Sequence, residues 1–159
     1  MREHEALSGA INGSAVTVHR GLGPGFLESV YEEAALAYEL GVHGIPFDRH
    51  VLFPFLYRGT KVGQHRFDLV ADGCFIVELK TLDQIAGSVF RMMRSYLHAT
   101  GMPLGLILNF GAPMLEVKRL FAQKQRPQRQ RSSFFPVIPV GSCDSCQKPT
   151  LAHNSDAEF

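Results

Sequence analysis

The sequence predicts an α/β fold, one mixed β-sheet with flanking helices, in the order helix, helix, three strands, helix, strand. Three observations carry this. Apolar residues recur at helical spacing through the first forty positions, and the period becomes that of strands between 50 and 80. A further helical stretch, 82–99, then leads into a short continuous apolar run, 103–110, as expected of a buried central strand. A strand-helix-strand connection of this kind is right-handed, so the third and fourth strands should lie parallel.

The first helix is read from Leu7, Ile11, Ala15, Val18 and Leu22, and it stops at the Gly21–Gly25 cluster, where "GLGPG" is a stiff break. The second should run from about Phe26 to Leu40, with Leu27, Val30, Tyr31, Ala34 and Tyr38 on its apolar face, ending at Gly41 and Gly44. "HVLFPFLY" (50–57) reads as a strand with an exposed edge, because Pro54 removes a ladder donor. "RGT" turns the chain into a second strand, 61–70. Asp72-Gly73 then favours a tight turn into a third, 74–80. The helix at 82–99 carries Ile85, Val89, Met92, Met93, Tyr96 and Leu97, and "EVKRLF" (116–121) is read as an added edge strand.

Composition divides the chain near residue 122. Residues 1–122 alternate periodic segments with turns, as one domain does, whereas 123–159 are rich in Pro, Ser, Gln and Arg without a sustained period and are read as a basic, disordered tail. In the tail, Cys143 and Cys146 with His153 make half of a zinc ligand set and also suit free thiols. Lys124, Arg126, Arg129 and Arg131 suit phosphate contacts or a soluble linker. With 159 residues, 45% of them hydrophobic, there is enough material for a core. A formal charge of +1 gives no global attraction to polyanions, so any such contact must be local. No apolar run approaches a membrane span, and the polar start "MREHEAL" is unlike a secretory signal. Three cysteines do not make a disulfide framework, and a reduced, cytoplasmic setting is expected. Cys74, in an apolar strand, reads as a core residue.

Three charged side chains interrupt the hairpin "FDLVADGCFIVELK". Residues two apart in a strand share a face, so Glu78 and Lys80 project together while Val77 and Leu79 enter the opposite, apolar layer. Pairing across the turn brings Asp68 toward them. Two converging carboxylates repel unless a cation joins them, and Mg²⁺ takes hard oxygen ligands, with one or two carboxylates completed by water and phosphate. A lysine on the same face steadies an attacking water or balances a phosphate's charge. Together these are parts for metal-assisted phosphodiester hydrolysis. The Glu-x-Lys tripeptide alone also fits a surface ion pair.

"VHRGLGPGFLESVYEEAALAYEL", containing Gly25-x-x-Glu28-x-x-Tyr31, together with "DLV", "VELK" and "GLILNFG", closely resembles the GxxExxY proteins over about residues 7–121. That family is placed in the PD-(D/E)XK nuclease-like superfamily. The resemblance implies a restriction-endonuclease-like αβββαβ core, with Asp68 and Glu78 as metal-binding acids, Lys80 as the motif lysine and Glu28 as an auxiliary acid from a helix that completes the metal ligand set. Tyr31, one turn after Glu28, would pack under the site or hydrogen-bond into it. The family's helix after the lysine resembles "HxxQxxxYL", and here it is "VFRMMRSYL": Tyr96 is kept, while Val89 and Met92 stand in place of His and Gln. Arg91, Arg94 and His98 form a basic strip on that helix, suited to a nucleic-acid backbone or to plain solvation, and Tyr96 is grouped with Arg91 and Arg94 as a nucleic-acid contact.

The expected function is therefore that of a nuclease-like phosphodiesterase using Mg²⁺ (or Mn²⁺), with DNA or RNA as partner, no membrane, and a homodimer left open. The alternative is a catalytically impaired scaffold that binds nucleic acid or protein, which the loss of the helix His and Gln favours. Retention of Asp68, Glu78, Lys80 and Glu28 favours the enzyme, since four charged groups on a partly buried site cost desolvation.

Overall fold

The structure, a computed structural model, describes residues 2–123. The tail residues Lys124, Arg126, Arg129, Arg131, Cys143, Cys146 and His153 lie outside them. Helix α1 (Arg2–Leu22) is followed by a π-helical segment, Val30–Leu36, that runs into α2 (Ala37–Val42). Strands β1 (Phe47–Tyr57), β2 (Thr60–Ala71) and β3 (Phe75–Lys80) come next. Then come α3 (Gly87–Thr100), β4 (Leu104–Asn109) and β5 (Glu116–Phe121). The five strands form one sheet in the order β1-β2-β3-β4-β5, with β3 and β4 parallel and every other pair antiparallel. The mixed α/β architecture agrees with the expectation, and Pro54 sits on an edge strand.

The sheet separates two apolar layers. On one side Ile11, Ala15 and Val18 of α1 and Tyr31, Leu36 and Leu40 pack against Leu69, Val77, Leu79, Leu106 and Leu108. On the other, Met93, Tyr96 and Leu97 of α3 cover Phe67, Val70, Ile76 and Ile107. Strand β3 contributes to both, with five consecutive residues, Phe75 to Leu79, buried. This is what a central strand covered on both faces requires.

Two expectations for the helices change. Leu27 and Tyr38 are 76% and 69% exposed rather than on an apolar face. Leu27 precedes the helix, which begins at Glu28 rather than Phe26. Beyond it the wider π turn, with its i→i+5 bonding, shifts the phase, so the buried residues are Tyr31, Leu36 and Leu40, spaced by five and four. The third helix starts at Gly87 rather than 82, because the backbone of Leu82 is already engaged: its N–H donates to Asn109 Oδ1 (2.9 Å) and its carbonyl accepts from Asn109 Nδ2 (2.8 Å).

Strand β2 changes face partway along. Strict alternation would put Phe67 and Leu69 in one layer, yet Phe67 lies with α3 and Leu69 with α1, while Val70 returns to the α3 side. The switch falls at Asp68, opposite His50, whose φ is +55°. Pairing of β2 with β3 covers only Leu69–Ala71 against Phe75–Val77, so the strands part just before Glu78.

Candidate active site

Where β2 and β3 separate, Leu79 lacks a backbone partner on that side, and Asp68 supplies one: its Oδ2 accepts the Leu79 N–H at 2.8 Å. The acid is thereby fixed beside the Glu78–Lys80 edge. Glu78 is 4% exposed. Its Oε1 accepts from Lys80 Nζ at 2.9 Å, and its Oε2 is buried with no hydrogen-bond partner among the described residues. Lys80 Nζ also donates to the Leu79 carbonyl at 2.6 Å and stands 3.6 Å from Glu28 Oε1. The four residues named from the sequence thus converge at the Lys80 end of β3, on the α3 side of the sheet.

Burial, and then the neighbouring Asp68, push the Glu78 carboxyl up to about 7, against the relief from Lys80. Burial also raises Glu28, although Lys80 opposes it, and the Thr81 backbone hydrogen-bonds the same carboxylate. For Lys80, burial works downward, but Glu78, Glu28 and Asp68 together hold the ammonium above its ordinary value. Lys80 therefore acts as a fixed positive charge and not as a base.

Glu28 reaches this edge through a braced loop. Gly25 has φ +108°, a conformation that L side chains rarely adopt. Around it, Tyr31 Oη donates to the Gly23 carbonyl (2.6 Å) and accepts from the Phe26 N–H (3.2 Å), while its ring stacks on Phe110 at 4.6 Å. Tyr31 is thus a buried brace under the loop that leads into Glu28, and its hydroxyl bonds to that loop rather than to the acids. From the other side, Asn109 holds Leu82, the Phe110 N–H donates to the Lys80 carbonyl (2.7 Å), and Gly111 presses so close that a Cβ there would lie 2.6 Å from the Leu82 nitrogen.

The basic strip is divided between the two ends of α3. Arg91 folds its guanidinium over Gly87, in the first turn of α3. Arg94 and His98 instead line a hollow with Phe121, which pairs through Leu104 with Phe75, at the end of β3 opposite Lys80. Five residues of strand separate those ends, roughly 17 Å. Tyr96 is turned inward, away from the exposed Arg91 and Arg94. Its hydroxyl lies 3.0 Å from His65 Nδ1 and its ring stacks on His65 at 4.3 Å. His65 is the site neighbour that the sequence reading missed. Alternation puts it on the face opposite Asp68, and only the face switch in β2 brings both to the α3 side.

A metal expectation is met only in its donors. Among the described residues no group of three or more His, Cys, Asp and Glu stands in metal-holding geometry. Lys80 Nζ stands 2.9 Å from Oε1 of Glu78 and 3.6 Å from Oε1 of Glu28, so the ammonium takes one oxygen of each acid. Asp68 and the orphaned Oε2 of Glu78 nonetheless make a two-carboxylate set, which suits a hard divalent ion completed by water.

The order of elements and the acid-acid-lysine edge now stand together with one comparison. A family model for the PD-(D/E)XK nuclease superfamily matches residues 5–120. The chain belongs to that superfamily. No curated protein matches it, and no solved structure does. In PD-(D/E)XK terms, the matched span takes in Asp68, Glu78 and Lys80 together with Glu28 and the whole sheet except Phe121. No described helix is long and apolar enough to cross a membrane.

Proposed function

We propose that this PD-(D/E)XK domain hydrolyses phosphodiester bonds of nucleic acid with the help of Mg²⁺ or Mn²⁺. The observation that carries the reading is Glu78: a buried acid with one oxygen on Lys80 and the other without a partner, beside a second acid that raises its pKa. Such a group is costly in an inert scaffold, and a cation at Oε2 relieves it. Asp68 and Glu78 would hold the ion, Lys80 would orient a water or a phosphate oxygen through its fixed charge, and Glu28 with Thr81 would hold Lys80 in place. When bound, the ion supplies charge stabilisation at the phosphoryl oxygens and acidifies a water.

The test is calorimetric titration of Mg²⁺ and Mn²⁺ into the wild type, Asp68→Ala and Lys80→Ala, followed by cleavage assays on single- and double-stranded DNA and RNA. Asp68→Ala should weaken metal binding, and Lys80→Ala should leave binding measurable while lowering cleavage roughly 100-fold or more. Metal binding indifferent to Asp68→Ala, with wild-type cleavage no higher than that of Lys80→Ala, removes the enzyme reading. A second reading, a binding module for nucleic acid or protein, is favoured by Val89 and Met92, which pack against the apolar layer under α3 instead of offering polar groups. It expects metal-independent retention of oligonucleotides without turnover.

A further inference from the structure

His65 and Tyr96 form a second polar pair beside the acids, and none of the roles above uses it. Tyr96 is almost fully buried, and His65 Nδ1 is the one hydrogen-bond partner of its hydroxyl among the described residues. That limits the tautomer. If Nδ1 carried the proton, the tyrosine proton would be buried with no acceptor, an unpaired group costing about 1–3 kcal/mol. With the Tyr96 O–H donating to Nδ1, both are satisfied, and the imidazole proton sits on Nε2. Nε2 is itself shielded from solvent and has no partner among the described residues. Buried polar atoms of this kind are rare in a folded protein and call for an occupant. Burial lowers the His65 pKa, so the ring is a neutral donor, and the charged groups whose fields reach it are Asp68 and Lys80. The same burial, then Glu78 and Asp68, push Tyr96 up to about 12, which keeps its proton available for the bond to Nδ1. The aromatic box of Phe53, Phe55 and Phe67 around the pair fixes its orientation.

We propose that His65, held as its Nε2–H tautomer by Tyr96, is a further substrate-contacting residue of this site and donates that N–H to a phosphate oxygen. The proposal rests on the phosphodiesterase reading for its consequence in catalysis, but not for its geometry. It places a polar contact on β2, on the side of the sheet where α3 carries Val89 and Met92 in its apolar layer.

Two arms test it on the full chain. In the first, ¹⁵N-histidine spectra are recorded at neutral pH, with His65 assigned by its loss in His65→Gln, and inorganic phosphate with Mg²⁺ is added as the probe. The expected result is an Nε2–H pattern for His65, a shift of its Nε2 resonance on adding phosphate, and mixed tautomers in Tyr96→Phe. An Nδ1–H tautomer, or an Nε2 resonance indifferent to phosphate (an ordered water as its partner), overturns the proposal. In the second arm, His65→Ala should lower kcat roughly ten- to a hundredfold. His65→Gln, which restores an N–H donor, should recover most of that loss, and wild-type turnover in His65→Ala overturns the proposal. If the wild type itself cleaves nothing, the phosphodiesterase reading falls, and the spectra still decide the assignment of His65.

Discussion

At Glu78, solvation and charge act against one another within a few ångströms. The carboxyl is pushed from 4.5 to about 7 by burial and by Asp68. A raised acid stabilises the fold fully below its unfolded value, and the contribution is lost as pH rises through the folded one. Metal-free protein should therefore lose stability between about pH 4.5 and 7, at up to about 1.4 kcal/mol per pH unit from this group. Thermal unfolding in a chelator across that range measures it, and Glu78→Gln should flatten the profile. Tyr31 shows a different economy: its ring belongs to the core and its hydroxyl to the loop that carries Glu28. Tyr31→Phe keeps the ring and removes both loop bonds, so it should cost about 1 kcal/mol in stability by chemical denaturation. The larger effect should fall on cleavage, through a displaced Glu28. Glu28, Asp68, Glu78 and Lys80 were all legible from the sequence, because strand alternation and the hairpin turn place three of them and the family resemblance supplies the fourth. His65 was not, because its meaning depends on a backbone irregularity in β2 that no residue type announces.

Among the elements, the regular ones were readable and the irregular ones were not. Period-2 alternation in β3, the Asp72-Gly73 turn and the apolar run of β4 each have one structural solution, and each is found. The Val30–Leu36 segment has apolar residues compatible with several phases, and packing chose the π turn that buries Leu36 and Leu40 while exposing Tyr38; Leu27 is exposed because it precedes the helix. The start of α3 was set by Asn109, 27 residues away in sequence, through its two bonds to Leu82. The same contact region predicts an outcome. Gly111→Ala places a methyl 2.6 Å from backbone atoms of Thr81 and Leu82 and must push that segment away from Glu28 and Lys80. Circular dichroism should stay that of a folded α/β domain, while thermal stability falls by about 1–3 kcal/mol and cleavage falls further than Tyr31→Phe.

Across the whole molecule, a formal charge of +1 leaves nucleic-acid affinity to a few placed cations. Arg91, at the Lys80 end of α3, and Arg94, toward the Phe121 end, should then differ. On a short oligonucleotide, Arg91→Ala should reduce the slope of log K against log salt by about 0.7–0.9, and Arg94→Ala should leave it unchanged. Binding isotherms at several salt concentrations distinguish them. The sequence by itself determined the order of elements, the parallel pairing of β3 with β4, the layer assigned to Val77 and Leu79, and the acid-acid-lysine edge. These follow from short-range periodicity and turn chemistry, which act on neighbours along the chain. Only the tertiary structure decided that β2 leaves β3 at Asp68, that Lys80 lies on both Glu28 and Glu78, and that Tyr96 turns inward to His65. Those depend on how a twisted sheet is covered from both sides, and burial across elements, not local pattern, sets which side chains meet.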